Sequence, residues 1–301
     1  MQNPSLLILA AGIGSRYGGY KQIEPIGPAG EVIIDYSIFD AVRAGFGKIV
    51  IVTTPALEQP LREHFAKTVG DRAEIVFAFQ RLNDLPGDFA PPPGREKPWG
   101  TAHAIWAARA EIAGPFGVIN ADDFYGPSSF RVLHDFLAAR KLDEYALVGF
   151  ELAKTLSAHG TVSRGICRSD ENGDLIDVTE HTKIESTGEG ARSLGSSGQD
   201  IVLPREATAS MNMWGFDCSL FAHLDVQFRE FLRSHIHELK SEFFIPTVVD
   251  GLIKKGEVRC RILKTSEQWF GVTYKEDREQ ATTTLRQLVE KGVYPKTLRV
   301  D

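Results

Sequence analysis

"LILAAGIGSRYGGYKQ" (residues 7–22) decides how the rest of this chain is read. An unbroken apolar run bounded by small residues is the pattern of a strand buried on both faces. Ala10 and Ala11 close the run, and a glycine-studded turn carrying Arg16 and Lys21 follows. In open α/β sheets, ligands sit beyond the carboxyl ends of strands, where loops lead into helices. Glycines at that address let backbone N–H groups approach phosphate oxygens, and two cations supply balancing charge. The bland alternative is a tight turn with two solvated cations. Two familiar phosphate loops fail the test. A dinucleotide fingerprint needs glycine where Tyr17 stands, and a Walker A loop needs Gly-Lys-Ser/Thr, whereas Tyr20 separates Gly19 from Lys21 and Gln22 follows.

Outward from that turn, strand and helix patterns alternate. Residues 32–46 have apolar spacing of helical period, 48–54 read as a strand, 56–70 as a helix and 73–79 as a strand. A helix over 100–114, a strand over 116–120, a helix over 128–141 and a strand over 145–152 follow. Strict alternation implies crossover units on a mainly parallel sheet with helices on both faces. After residue 150 the rhythm changes to two strands within 160–184, joined by a turn at Asn172-Gly173. Residues 185–200 are rich in Gly and Ser and read as a flexible surface loop. A strand over 207–218, helices over 219–239 and 242–256, strands at 258–263 and 268–274, and a last helix over 276–291 complete the chain. We expect one α/β domain spanning residues 1–301, with an antiparallel excursion after residue 150.

Composition sets the outer limits. The chain has 301 residues, 43% hydrophobic and 25% charged, as in ordinary globular proteins. A net charge of −6 provides no global basic field for nucleic acid or acidic membranes. Three cysteines without metal-type spacing read as buried reduced thiols, and no long apolar segment or signal-like amino terminus appears. The expectation is a cytoplasmic protein with neither nucleic-acid nor membrane partners; assembly with further copies is left open.

The opening turn resembles the signature of the sugar-1-phosphate nucleotidyltransferases, whose pattern is L-A-G-G/A-x-G-x-R followed by lysine. "IIDYSI" (33–38), "PWGTAHA" (98–104), "INADDFYG" (119–126), and the pair "HGTVSRG" (159–165) and "VTEHTKI" (178–184) resemble that family's later blocks, in the same order. The resemblance implies a Rossmann-like three-layer α/β/α fold with a mainly parallel sheet and an antiparallel excursion on the acceptor side. It also implies Mg²⁺, a nucleoside triphosphate and a small phosphorylated acceptor.

By the same resemblance, Gly12, Gly14, Ser15 and Arg16 wrap the triphosphate, and Lys21 bridges the reacting phosphates. Asp122 holds the metal, with Asp123 secondary; adjacent carboxylates repel unless a cation sits between them, or they simply begin a helix. Ala10, Ala11, Gly12, Gln80, Gly100 and Thr101 fall to the base, with Thr101 also readable as a helix cap. A Gln amide pairs with the donor–acceptor edge of uracil or thymine, which favours a pyrimidine. Gly160, Glu180 and Asn212 match positions that hold hexose hydroxyls, and Lys183 lies two residues from the usual place of a phosphate-binding lysine. His103 and His181 lie within candidate site segments, where they could contact phosphate, and Trp214 and Trp269 are available to line the acceptor pocket or to fill the core. One departure stands out: Gly271 occupies the point where many relatives carry a late aspartate, leaving Glu276 or Asp277 as substitutes, or none. The rival readings are a cytidylyltransferase for an alcohol phosphate, a silent nucleotide-sugar-binding protein, and a Rossmann oxidoreductase.

Overall fold

The computed structural model describes residues 3–12, 24–157, 159–187, 190–194, 200–271 and 277–298. In chain order the elements are β1 (Ser5–Leu9), α1 (Ile33–Ala44), β2 (Lys48–Thr53), α2 (Pro55–Thr68), β3 (Glu74–Phe79), α3 (Thr101–Ala107), β4 (Phe116–Asn120), β5 (Asp123–Phe124), α4 (Pro127–Ala139) and β6 (Glu144–Glu151). Then come β7 (Val162–Ser169), β8 (Leu175–Ser186), β9 (Ala191–Leu194), β10 (Asp200–Leu203), β11 (Thr208–Phe216), α5 (Leu220–His235), α6 (Ile245–Lys254), β12 (Arg259–Lys264), β13 (Phe270–Gly271) and α7 (Asp277–Glu290).

Strand β1 lacks a polar face because both of its faces are covered. It lies between parallel neighbours β2 and β4, and β3 extends the parallel set beyond β2. Leu6 and Ile8 face a core built with α1, α2 and α4, whereas Leu7 faces one built with α3, α5 and α6. Alternation along one strand therefore feeds two helix layers. A third, smaller cluster packs Ala281 and Leu285 of α7, together with Tyr294 and Leu298, against Ile33 and Tyr36 of α1. The turn of α1 is anchored by the Asp35 carboxylate, which accepts from the Val32 amide at 2.9 Å.

The sheet changes character at β11, which pairs antiparallel with β4 through Trp214–Phe216 and with β7 through Thr208–Ser210. Its register against β6 breaks between Ser210 and Trp214, and Asn212 within that break adopts φ 58°. Beyond β7, strands β8, β9 and β10 continue antiparallel, while β12 adds in parallel to β6.

Several expectations shift. Within the stretch 185–200 read as loop, β8 continues to Ser186 and residues 191–194 are β9, while β10 begins at the stretch's last residue, Asp200. Their pairing is helped by Arg192, which bridges Glu185 and Asp200, and by burial of Ala191 and Leu203. α3 stops at Ala107 rather than residue 114, because residues 108, 109 and 111 donate to carbonyls three positions back instead of four. Within the segment expected as strand 268–274, Phe270–Gly271 form β13, paired with β5, and residues 272–274 lie outside the described residues. Cys260 is buried and Cys167 half-buried, but Cys218 is exposed, so the reading of buried thiols fails for it.

The two halves are fastened where the chain after α5 crosses α3. Phe243 N–H donates to Trp99 O at 2.7 Å, Ala102 N–H to Phe243 O at 3.0 Å, and Ile245 N–H to Thr101 Oγ1 at 3.2 Å. Gly100 sits at φ 101°, and a Cβ there would lie 2.5 Å from Phe243 O. Gly173 also has positive φ, 81°, but faces open space. Gly100→Ala should therefore cost about 2–4 kcal/mol in urea unfolding, and Gly173→Ala only about 1 kcal/mol. Equal losses would mean that the Phe243 segment does not grip α3.

Candidate functional site

A cleft of about 830 Å³ opens where β4 ends and β11 changes neighbours. Asn120, Asp122 and Asp123 enter it from the carboxyl end of β4 and the turn beyond. Arg164, Glu180, Ser210 and Asn212 enter from the antiparallel half, and Thr101 from the start of α3. Thr247 and Asp250 on α6 close the far side, with Phe244 and Trp269 as aromatic walls.

The two aspartates differ. Asp122 is half-buried, whereas Asp123 is buried and its Oδ2 accepts from Asn120 Nδ2 at 2.9 Å and lies 3.2 Å from the Tyr125 hydroxyl. That hydroxyl also lies 3.0 Å from Met211 O and accepts the Asn120 N–H at 3.1 Å, so its one proton is shared between two acceptors. Burial, and then the charge of Asp122, push the Asp123 carboxyl up to about 7 against the pull of Asn120, Tyr125 and Arg164. A like-charge pair under this strain is suited to a divalent cation. Among the described residues no group of three or more His, Cys, Asp or Glu gathers around a common point. Mg²⁺ takes one or two carboxylates and completes its shell with substrate phosphates and water.

Gly271 has a local explanation. It lies directly opposite Asp123 in the β5–β13 pair, and a Cβ at 271 would meet Asp123 Oδ1 at 2.7 Å. The carboxylate on β5 fills the space that a side chain on β13 would need. Asp277 does not enter the cleft; it accepts from Ser157 Oγ at 2.9 Å beside a smaller cavity behind Trp269. Glu276 lies outside the described residues.

Arg164 is the one cation among the described residues lining the cleft. Its guanidinium donates to Thr155 O and to Ser163 O at 2.8 Å, and lies 4.6 Å from the Trp269 ring centroid. Burial lowers it to about 10, opposed by Asp123, Glu180 and Asp277, so it remains charged at neutral pH. Glu180 is held above the usual carboxylate range by desolvation, against Arg164 and His181.

On the nucleotide side, Ala10 and Ala11 are buried at the end of β1, with Ala10 N–H donating to Val52 O at 2.7 Å, and Gly12 is exposed beyond them. Gln80 at the end of β3 donates through Nε2 to Gly100 O at 3.0 Å, which joins Gln80, Gly100 and Thr101 in one corner. Gly14, Ser15, Arg16 and Lys21 lie outside the described residues.

Of the four acceptor candidates, Glu180 and Asn212 line the cleft and Gly160 and Lys183 do not. Lys183 adopts φ 52° where the pairing of β8 with β7 shifts register between His181 and Ile184, and it is exposed. Trp269 lines the cleft, but Trp214 is wholly buried in the core. His103 is also wholly buried and bonded to protein, so a phosphate contact for it is ruled out. Sequence reasoning passed over Asn120, Arg164, Ser210, Thr247 and Asp250. Arg164 had a legible signal, being a lone cation inside the quoted "HGTVSRG"; Thr247 and Asp250 had none.

No curated protein matches this sequence. Among solved structures, the inositol-1-phosphate CTP transferase from T. maritima superposes with TM-score 0.60 at 9% identity, covering 95% of this chain and 97% of that one. A putative glucose-1-phosphate thymidylyltransferase from Bacillus anthracis, in complex with a sucrose, gives 0.60 at 15% identity, covering 94% and 95%. A UDP-glucose pyrophosphorylase complexed with UDP-glucose gives 0.61 at 17% identity, covering 95% and 99%. These likenesses establish the fold, a mixed α/β architecture with a largely parallel central sheet. The nucleotidyl transferase family profile matches residues 5–272, nearly the whole chain, and the protein belongs to that family.

Proposed function

We propose that the protein transfers a nucleotidyl group from UTP or dTTP to a sugar 1-phosphate, giving a nucleotide sugar and pyrophosphate. The observation that carries this reading is the cleft itself, which places the Asp122–Asp123 pair on the same wall system as Glu180 and Asn212. A carboxylate and an amide suit sugar hydroxyls, which both donate and accept. The named neighbours act on nucleotides and on glucose or inositol phosphates, in keeping with such a cleft.

In this reaction an oxygen of the acceptor phosphate bonds to the α-phosphorus as the bond from that phosphorus to the bridging oxygen breaks. Pyrophosphate carries away the electron pair. Little covalent help is needed; alignment and charge neutralisation supply the rate. Asn120 and Tyr125 hold Asp123 in place, and Asp122 with Asp123 would hold Mg²⁺. Bound there, the ion would serve as Lewis acid and template for the phosphates. Arg164 offers positive charge within the cleft, while Lys21 and Arg16 are assigned the triphosphate on the strength of the opening motif. Residues 1–150 then serve the nucleotide and 151–301 the acceptor within one catalytic unit. No helix among the described residues is long and apolar enough to cross a membrane, and we place the enzyme in the cytoplasm.

The second reading keeps the chemistry but uses CTP and a polyol or amino-alcohol phosphate; the fold likeness to the inositol-1-phosphate CTP transferase favours it. Pyrophosphate release, measured with each triphosphate against panels of sugar 1-phosphates and alcohol phosphates in Mg²⁺, separates the two. Turnover with UTP or dTTP and a hexose 1-phosphate is expected, and silence across both panels would remove the assignment. Lys21→Ala should lower turnover at least ~100-fold with the fold intact. Activity within a few-fold of wild type would show the opening turn to be misread. Asp122→Ala should shift the Mg²⁺ dependence of turnover to at least ~10-fold higher concentration, and an unchanged titration would free Asp122 from that role. Asn212→Ala should raise the acceptor KM by ~10-fold and leave the triphosphate KM alone; the reverse pattern would move Asn212 to the nucleotide.

A further inference from the structure

Gln80 is held by two groups that can only accept. Its Nε2 lies 3.0 Å from Gly100 O and 3.1 Å from His103 Nδ1, and His103 Nε2 lies 2.9 Å from Asp84 O. A backbone carbonyl has no proton to give, so His103 Nε2 must carry one. His103 is 0% exposed, and burial lowers its pKa to about 4. The ring is therefore neutral, and Nδ1 is a bare lone pair. Gly100 O and Nδ1 both demand a donor, which fixes the amide of Gln80 with its nitrogen inward and both protons used. Its oxygen is left facing away and makes no hydrogen bond to any described residue. Trp106 and Phe228 pack against the imidazole, with centroids at 6.1 and 5.2 Å, and hold its orientation.

We propose that His103 is a positioning residue that turns the amide oxygen of Gln80 toward the nucleotide, so that the site takes a base with a ring N–H on its pairing edge. This rests on the reading of the protein as a nucleotidyltransferase with Gln80 at the base. Uracil and thymine present N3–H, and guanine N1–H; each can donate to the oxygen. Cytosine N3 and adenine N1 present lone pairs, which a carbonyl oxygen repels. The donor–acceptor pairing expected of a free Gln amide is reduced to a single acceptor, and His103 sets which one. The choice between the UTP or dTTP reading and the CTP reading then depends on a buried imidazole that touches no substrate.

Calorimetry of the full chain with UTP, dTTP, CTP and ATP in Mg²⁺ tests this without turnover. Wild-type protein should bind UTP or dTTP ~10–100-fold more tightly than CTP, the range of one hydrogen bond made against one lone-pair clash. His103→Phe fills the slot between Trp106 and Phe228 but removes the acceptor that fixes Gln80, and the ratio should fall to within ~3-fold. His103→Gln, which can donate to Asp84 O and accept from Gln80, should restore most of it. Should His103→Phe fail to fold, Gln80→Leu should abolish the same preference. ¹⁵N spectra of wild-type protein should show His103 with one protonated and one bare nitrogen at neutral pH. A wild-type preference for CTP, or a UTP preference untouched in folded His103→Phe or in Gln80→Leu, overturns the inference while leaving nucleotide binding standing. Failure of wild-type protein to bind any nucleotide, with the His103 spectrum as expected, overturns the function proposed above and the ligand assigned here with it.

Discussion

The molecule depends on one strand that exchanges partners. β11 spends its last three residues beside β4 and its first three beside β7, and the register break between Ser210 and Trp214 makes the exchange. A regular β11 would keep β4 as neighbour along its length and leave no gap at the carboxyl end of the parallel strands. The break costs backbone strain, visible as the positive φ of Asn212, and strain of that kind persists only where the surroundings enforce it. It places Asn212 and Ser210 in the cleft wall, across from the aspartates that follow β4. Fold and candidate site are thus consequences of the same irregularity.

Electrostatics give the cleft its second property. Among the described residues its walls carry Asp122, Asp123, Glu180 and Asp250 against Arg164. Asp250 is matched by Lys254 at 2.6 Å, and Arg164 is shared between Asp123 and Glu180. Asp122 and Asp123 set two carboxylates side by side at the end of β4. That is an unfavourable surface for a phosphate by itself and a favourable one for a phosphate that arrives with a divalent cation. Asp123 cannot easily turn away, since Asn120 and Tyr125 hold one oxygen and Gly271 leaves room only for the other.

The parallel half was legible in the sequence because burial on both faces removes polar residues from its strands and helical spacing survives between them. β1, β2, β3 and β4 were expected at nearly their observed bounds. The hairpin β9–β10 was not, because its side chains are mostly exposed and its pairing rests on ion pairs and a few small buried residues, which leave a composition like that of a loop. β5 is two residues long, too short for any period to show. The site divides the same way. Asp122, Asp123, Glu180 and Asn212 sat in motifs and reach one cleft, while Thr247 and Asp250 arrive through the tertiary packing of α6, which no local pattern records. Lys183, at a register shift of β8 with φ 52°, is not among the residues lining the cleft, and no local pattern records such an irregularity.

A crystal structure of the protein with a nucleotide sugar and Mg²⁺ tests the central claim most directly. The account requires the sugar against Glu180 and Asn212, the diphosphate beside Asp122, and the base beyond Thr101 at the Gln80 corner, all within the cleft opened by β11. A ligand bound in another cavity, or bound here with its base against Glu180, would contradict it.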